Sequence, residues 1–351
     1  MPTGTLHIDL EAIAANWRAL DAMSAAGCET GAVVKADGYG LGAGRVAERL
    51  AEAGVRAFFV ASAQEGADLR RALGPEPRIY VFYGHMAGDA EAIRGADLVP
   101  LLCSVDQLAR HFEAMPTHPF GVQLDTGMSR LGLALSEWAA VGEIALQAGP
   151  VLVTSHLASA DAPDSAQNRE QLAQFRHMTD GIDAPRSLAA TGGTLLGSDY
   201  HFDMTRPGIG LYGGLPFAAA EPVVTLSLPV IACFDLPAGA AVGYGATWTA
   251  PSDTRIATVA GGYADGLLRA LQPGLEVMAG PVACPVVGRV SMDLLTGDIG
   301  HLDGDPEALT VIDGHRRVDA LADRAGTIGY EILTSLGRRY RRTYRGVDPR
   351  G

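Results

Sequence analysis

Basic charge is scarce in this chain: 27 Lys and Arg stand against 40 Asp and Glu, a formal net charge of −13. Phosphate backbones are gripped by clustered cations, so a general nucleic-acid binder is excluded. The nearest basic run, RRYRRTYR at 338–345, reads as a solvated tail or helix end. Cysteine is sparse too. Cys28, Cys103, Cys233 and Cys284 form no C-x-x-C pair and have no histidine at metal-ligand spacing, so no metal site is expected and they read as reduced core or surface thiols. No apolar run approaches the roughly 18 residues of a membrane span. The opening segment MPTGTLHIDLEAIAANW lacks the basic and apolar regions of a secretory leader. No membrane partner and a cytoplasmic location are the expectation. Fixed-period repeats and low-complexity tracts are also missing.

What is present is a globular composition, with 48% hydrophobic and 19% charged residues over 351 positions, enough for two cores. From residue 30 to about 215, short apolar runs alternate with stretches of helical period. The runs are AVVK, AFFVAS, RIYVFYG, DLVPLLCS, FGVQLD, VLVTSH, SLAAT and HFDMTR. Between them, RVAERLAEAG, AQEGADLRRALG and QNREQLAQFRHM carry apolar residues at i, i+3 and i+4. Eight strands with intervening helices predict an α/β fold, a (β/α)8 TIM barrel. After GIGLYGG, strand-like runs such as VVTLSLPVIACF, RIATVA and ALTVIDG replace the helices, predicting a mainly β C-terminal domain. The expected boundaries are 8–221 for the barrel and 222–351 for the second domain, with residues 1–7 available to pair with the latter.

Barrel chemistry sits at the C-terminal ends of the strands. The polar residues there are Lys35, Asp125 with Arg130 in the following loop, His156, Thr191 and Arg206. So many cations in an acidic protein imply an anionic cofactor or substrate. Lys35 closes GAVVK ahead of a glycine-rich turn, where an amine can bond covalently to a carbonyl cofactor, although a lysine simply capping a strand looks the same. Gly38, Gly40 and Ala43 also satisfy the loose G-x-G-x-x-G/A dinucleotide pattern. That fingerprint begins directly after its strand, and here Lys-Ala-Asp intervenes.

VVKADGYGLGA resembles the pyridoxal-phosphate attachment motif of the alanine racemase family, and LDTGMSRLG, SHLASAD, TRPGIGLYG, GYGATW, GYADGLLR, GRVSMD and GTIGYEILTSLGRRYRR resemble further motifs of that family in family order. The resemblance spans nearly the whole chain. It implies pyridoxal 5′-phosphate as cofactor, carried on Lys35, and interconversion of L- and D-alanine. Tyr39, Thr191, Gly208, Ile209 and Tyr330 would hold the cofactor phosphate; hydroxyls and backbone N–H groups are suitable donors to it. His156 would lie against the pyridine ring and Arg206 would face its nitrogen. A guanidinium donates a hydrogen bond but keeps its proton, so the ring becomes a poorer electron sink. Arg130 would contact the phenolic oxygen and help bind substrate.

Racemisation takes the α-proton from one face and returns it on the other, which two bases do most simply. The resemblance assigns those roles to Lys35 and Tyr244, and a tyrosine needs cationic or hydrogen-bonding neighbours to act as phenolate. It also implies that Tyr244 and Met292 reach the partner subunit's site, so a homodimer with composite active sites is expected. Tyr263, Asp161, Arg269 and Arg289 would line the entrance. Two positions depart from the family pattern. Gln123 stands where a lysine, often carbamylated, is common, so that Arg130 is oriented either by the neutral amide or by an anion; Ala190 stands where many members have Asn. A related decarboxylase of basic amino acids would place an acid at the pyridine nitrogen and a cysteine at the interface, where this chain has Arg206 and Ser291. A cofactor carrier built from a barrel alone would lack the β domain. Serine, or a broader range of substrates, stays open.

Overall fold

The computed structural model describes residues 4–346, in two compact units. One unit is Ile13–Ala220. The other joins the segment from Glu221 onward to the beginning of the chain, through Ala12. Of the segments 1–7 and 222–351, residues 1–3 and 347–351 lie outside the described residues.

In the first unit, seven short parallel strands lie side by side: Ala32–Val33, Ala57–Val60, Arg78–Val81, Val99–Leu102, Gly121–Gln123, Val153–Thr154 and Arg186–Ser187. An eighth, Met204–Thr205, pairs in parallel with Glu29–Thr30. Its flanks close the ring. Asp203 N and Arg206 N donate to Arg186 O and Ala189 O on one side, while Thr205 O and Pro207 O accept from Gly31 N and Val33 N on the other. The eight-stranded α/β barrel read from the sequence is therefore the fold. Strands covered on both faces carry unbroken apolar runs, as in AFFV and VPLL, every residue of which is buried. The three helices read from their periodicity occur as Ala43–Ala53, Ala63–Leu73 and Ala166–Thr179.

The second unit is mainly β. Its sheet runs Val282–Pro285, Glu276–Ala279, Ala308–Ile312, Val224–Leu236, Thr5–Asp9, Arg341–Arg345. The long strand Val224–Leu236 shifts register between Val230 and Ala232, and its second half pairs instead with Thr254–Ala260, which pairs in turn with Leu294–Asp298. One sequence expectation fails here. RRTYR is neither tail nor helix end but the strand Arg341–Arg345, parallel to Thr5–Asp9. Its partner supplies what the local sequence hides: Asp9 faces Arg345 at 3.7 Å, and the Thr343 hydroxyl meets His7 Nδ1 at 2.7 Å. Among the described residues no helix is long and apolar enough to cross a membrane.

Candidate active site

Lys35 follows the first barrel strand and opens a left-handed turn. Ala36, Asp37, Gly38 and Tyr39 have φ of 54°, 55°, 62° and 55°. An L-residue costs about 1–2 kcal/mol there, so the three non-glycine residues Ala36, Asp37 and Tyr39 persist in it only if their surroundings hold them. The holding groups are identifiable. Gly38 N donates to Val34 O at 2.9 Å and Gly40 N to Ala36 O at 2.8 Å. Asp37 Oδ1 accepts from Ala43 N at 2.9 Å, and Glu65 Oε1 accepts from Ala36 N at 2.9 Å. The Tyr39 ring stacks on Tyr212 at 4.5 Å, and the Tyr212 hydroxyl donates to Val33 O at 3.0 Å. The glycines of the apparent dinucleotide pattern thus serve the turn.

A cavity of about 580 Å³ opens beside this turn, lined by Lys35, Phe82, Arg130, His156 and Arg206. That volume suits a small-molecule cofactor. Lys35 Nζ lies 5.5 Å from the Phe82 ring centre. Arg206 is only 2% exposed; its Nη2 donates to Ser155 O at 2.6 Å and its Nη1 to the Ser187 hydroxyl, while its buried Nε has no partner among the described residues. A buried guanidinium N–H left unpaired is costly, and a ring nitrogen acceptor would satisfy it. Those bonds go to Ser155 and Ser187, so Arg206 does not hold the neighbouring His156 ring by a hydrogen bond.

The electrostatics follow from crowding cations into a dry space. Burial, then Arg206, Arg130 and Lys35, pull the His156 imidazole down to about 3, so it is neutral at any ordinary pH. Burial pulls Arg206 down to about 10, still charged at neutral pH. Lys35 is lowered by burial and by Arg130, against an opposing pull from Glu65. Thr191 Oγ1 gathers the amides of Gly208 at 3.0 Å and Gly210 at 3.2 Å, and a Cβ on Gly208 would run into the Tyr39 hydroxyl. Thr191, Tyr39 and the buried Ile209 thus share one corner of the barrel, where the Thr191 hydroxyl, accepting from two amides, keeps its proton to donate to a phosphate. Together with the orphaned Arg206 Nε, the residues present fit pyridoxal phosphate.

The other predicted residues divide between the units. Asp161 is exposed on the barrel unit. Tyr244, Tyr263, Arg269, Arg289, Met292 and Tyr330 all belong to the second unit and all are exposed. Tyr244 begins the turn Tyr244–Ala246 between the paired strands Ala241–Val242 and Trp248–Thr249. The Arg289 guanidinium lies over Gly245 in that turn, within 3.5 Å of where its Cβ would stand. Tyr263 N donates to Ser291 O, and Ala264 N to Met292 O, both at 3.0 Å, which brings Tyr263 and Met292 together. Beneath them, Asp265 is wholly buried and accepts a bidentate pair from Arg339 at 2.7 and 2.8 Å as well as Gly262 N at 3.1 Å. Arg339 Nη1 also binds Asp293 at 2.8 Å, fixing both loops at once.

The alanine racemase N-terminal domain model matches residues 8–216, and its C-terminal domain counterpart matches residues 223–344. The chain belongs to the alanine racemase family. It is 65% identical to an alanine racemase of Dinoroseobacter shibae over 99% of both chains, and 62% identical to one of Cereibacter sphaeroides over 98% of this chain and 99% of that one. Among solved structures, an alanine racemase of Bartonella henselae with covalently bound pyridoxal phosphate superposes with a TM-score of 0.92 at 34% identity, covering 98% of this chain and 100% of that one. One from Streptomyces coelicolor gives 0.93 at 31% identity, covering 98% of each chain.

Within this alanine racemase framework, Gln123 is accounted for. Its Oε1 accepts from the Thr154 hydroxyl at 2.6 Å and its Nε2 donates to Leu124 O at 3.3 Å, so the amide ties two strands and makes no hydrogen bond to Arg130. At Ala190 the carbonyl accepts from Thr194 N at 2.9 Å and the Thr194 hydroxyl at 3.0 Å, leaving Thr191 to the loop amides. Two features escaped the reading of motifs. Lys35 is the chain's only lysine, which a residue count alone would have flagged. Glu65, at the cavity edge, looked like an ordinary helix residue.

Proposed function

We propose that this chain interconverts L- and D-alanine with pyridoxal 5′-phosphate, Lys35 and Tyr244 serving as its two bases. The observation that carries the reading is the buried Arg206, with an Nε unpaired among the described residues, lining the same cavity as the only lysine. When bound, the cofactor supplies the electron sink that makes the α-proton removable. Arg206 would donate to the pyridine nitrogen without surrendering its proton, which would keep the sink weak and favour return of the proton over side reactions. His156, neutral at working pH, would lie against the ring without adding charge. Thr191, Tyr39, Tyr330 and the loop at Gly208 and Ile209 would hold the phosphate; Arg130 would bind the phenolic oxygen and the substrate carboxylate.

Lys35 takes or returns the proton on one face. Its lowered proton affinity leaves more free amine at neutral pH than an exposed lysine would have. Tyr244 acts on the opposite face, with the Arg289 guanidinium lying over the next residue of its turn. Tyr244 is 73% exposed and Met292 53%, which is what residues completing a second subunit's site require. The working unit is accordingly a head-to-tail homodimer in which Met292 N–H meets the substrate carboxylate, while Tyr263, Asp161, Arg269 and Arg289 shape the entrance. Four free cysteines accord with a cytoplasmic enzyme.

The test is direct. Purified chain with pyridoxal phosphate should convert either alanine enantiomer to the racemate, and Lys35→Ala should abolish both conversion and covalent retention of the cofactor. Retention without conversion of any amino acid would leave only a carrier.

A further inference from the structure

Three carboxylates line the Lys35 cavity or brace its turn without belonging to the assigned machinery: Asp37, Asp125 and Glu65. Asp125 Oδ1 is committed to its own loop, accepting from Gly127, Met128 and Ser129 at 2.9, 3.0 and 3.1 Å. Asp37 fastens the far end of the left-handed turn to Ala43. Glu65 differs from both because it joins separate parts of the barrel.

We propose that Glu65 is a positioning residue whose carboxylate pins the left-handed turn on which Lys35 and Tyr39 are mounted. Its Oε1 accepts from Ala36 N at 2.9 Å and its Oε2 from Ala61 N at 2.8 Å. Glu65 stands at the third position of the helix Ala63–Leu73, and its own amide donates to the Ser62 hydroxyl at 3.2 Å. In an ordinary capping box that glutamate returns to the amide of the cap residue. Glu137 does so elsewhere in the barrel, accepting from Ala134 N at 2.9 Å. The Glu65 carboxylate instead passes its cap, takes the amide before it, and spends its second oxygen on the residue after Lys35. A rigid helix start is thereby bolted to a strained turn in the neighbouring loop. The same carboxylate supports the charged form of the Lys35 amine, opposed by burial and by Arg130; Tyr83, Asp125, His156 and Arg206 complete the titratable and charged lining of the cavity. The inference rests on Lys35 being the reactive amine, yet its test does not depend on turnover.

Because there is one lysine, protein grown on ε-¹³C-lysine gives one side-chain resonance, which can be titrated in the full-length chain freed of cofactor. Glu65→Gln keeps one acceptor oxygen and loses the charge. The expected result is a titration midpoint lower by about half a pH unit. Hydrogen exchange in the peptide around Ala36 should rise about tenfold or more as one amide loses a charged acceptor. Glu65→Asp keeps the charge but is one methylene too short to span both amides, so it should restore much of the midpoint and little of the exchange protection. Glu137→Gln serves as the control and should move neither. A Glu65→Gln midpoint and exchange rate equal to wild type would overturn the proposal, as would equal changes in Glu137→Gln. The functional reading fails separately, if pyridoxal phosphate leaves the wild-type lysine resonance unmoved.

Discussion

Replacing Gly208 by alanine isolates the contact that shapes the phosphate corner. A Cβ built there would overlap the Tyr39 hydroxyl, stand 3.2 Å from that ring's Cζ and 3.5 Å from Val33 Cβ. Neither side can retreat easily. Tyr39 is 5% exposed and stacked on Tyr212, while the Gly208 and Gly210 amides are both tied to Thr191 Oγ1. Overpacking of this kind costs about 1–3 kcal/mol. If the strain falls on the cofactor-competent arrangement, affinity for pyridoxal phosphate drops by about 5- to 150-fold, at 1.4 kcal/mol per decade. Removing the hydroxyl with Tyr39→Phe removes the worst overlap and leaves only the tight Cζ contact. In the double variant the alanine should therefore cost less than about 1 kcal/mol, a coupling well above the roughly 0.5 kcal/mol within which independent sites add. Titrating pyridoxal phosphate into the four cofactor-free proteins closes the cycle. Additive losses would refute the packing argument and place the effect of Gly208 in the loop backbone instead.

Two further outcomes follow from the geometry. The folded imidazole of His156 gains its proton only near pH 3, whereas the unfolded chain takes it near 6.5. Its contribution to stability is therefore complete above pH 6.5 and is lost as pH falls from 6.5 towards 3. His156→Asn should flatten the acid arm of a denaturation-versus-pH curve without abolishing it, since burial lowers His85 and His111 in the same direction; an unchanged slope would contradict it. Mixing Lys35→Ala and Tyr244→Phe dimers, each inactive for at least one direction, tests the shared site. After subunit exchange half the dimers are hybrids with one intact site of two, so about a quarter of wild-type activity should return. No recovery, under conditions where exchange is demonstrated, would place both bases in one subunit.

The barrel was legible because its strands are buried on both faces and its helices carry regular apolar stripes, patterns set by local periodicity. The reactive end was legible in part: Lys35, His156 and Arg206 occupy strand ends and Arg130 the loop after one, and all four line one cavity. What stayed hidden depends on residues far apart in the chain. Five consecutive residues of RRTYR look solvated until Thr5–Asp9 lies beside them. Arg339 reads as part of that basic run, yet it neutralises the wholly buried Asp265 beneath Tyr263 and Met292. KADGYG reads as a glycine-rich turn, whereas its backbone is left-handed at three non-glycine residues and is held in part by Glu65 of the helix Ala63–Leu73. Periodicity carries no information about such cross-strand clamps.

The division of labour between Lys35 and Tyr244 is the centre of the account, and isotope exchange in Tyr244→Phe tests it most directly. In deuterated water, each alanine enantiomer is presented separately to the variant loaded with pyridoxal phosphate, and loss of the α-proton is followed. Exchange from one enantiomer should persist near the wild-type rate through Lys35, while exchange from the other falls by about a hundredfold or more, the contribution of a positioned general base. Small and equal losses for both enantiomers would contradict the two-base mechanism.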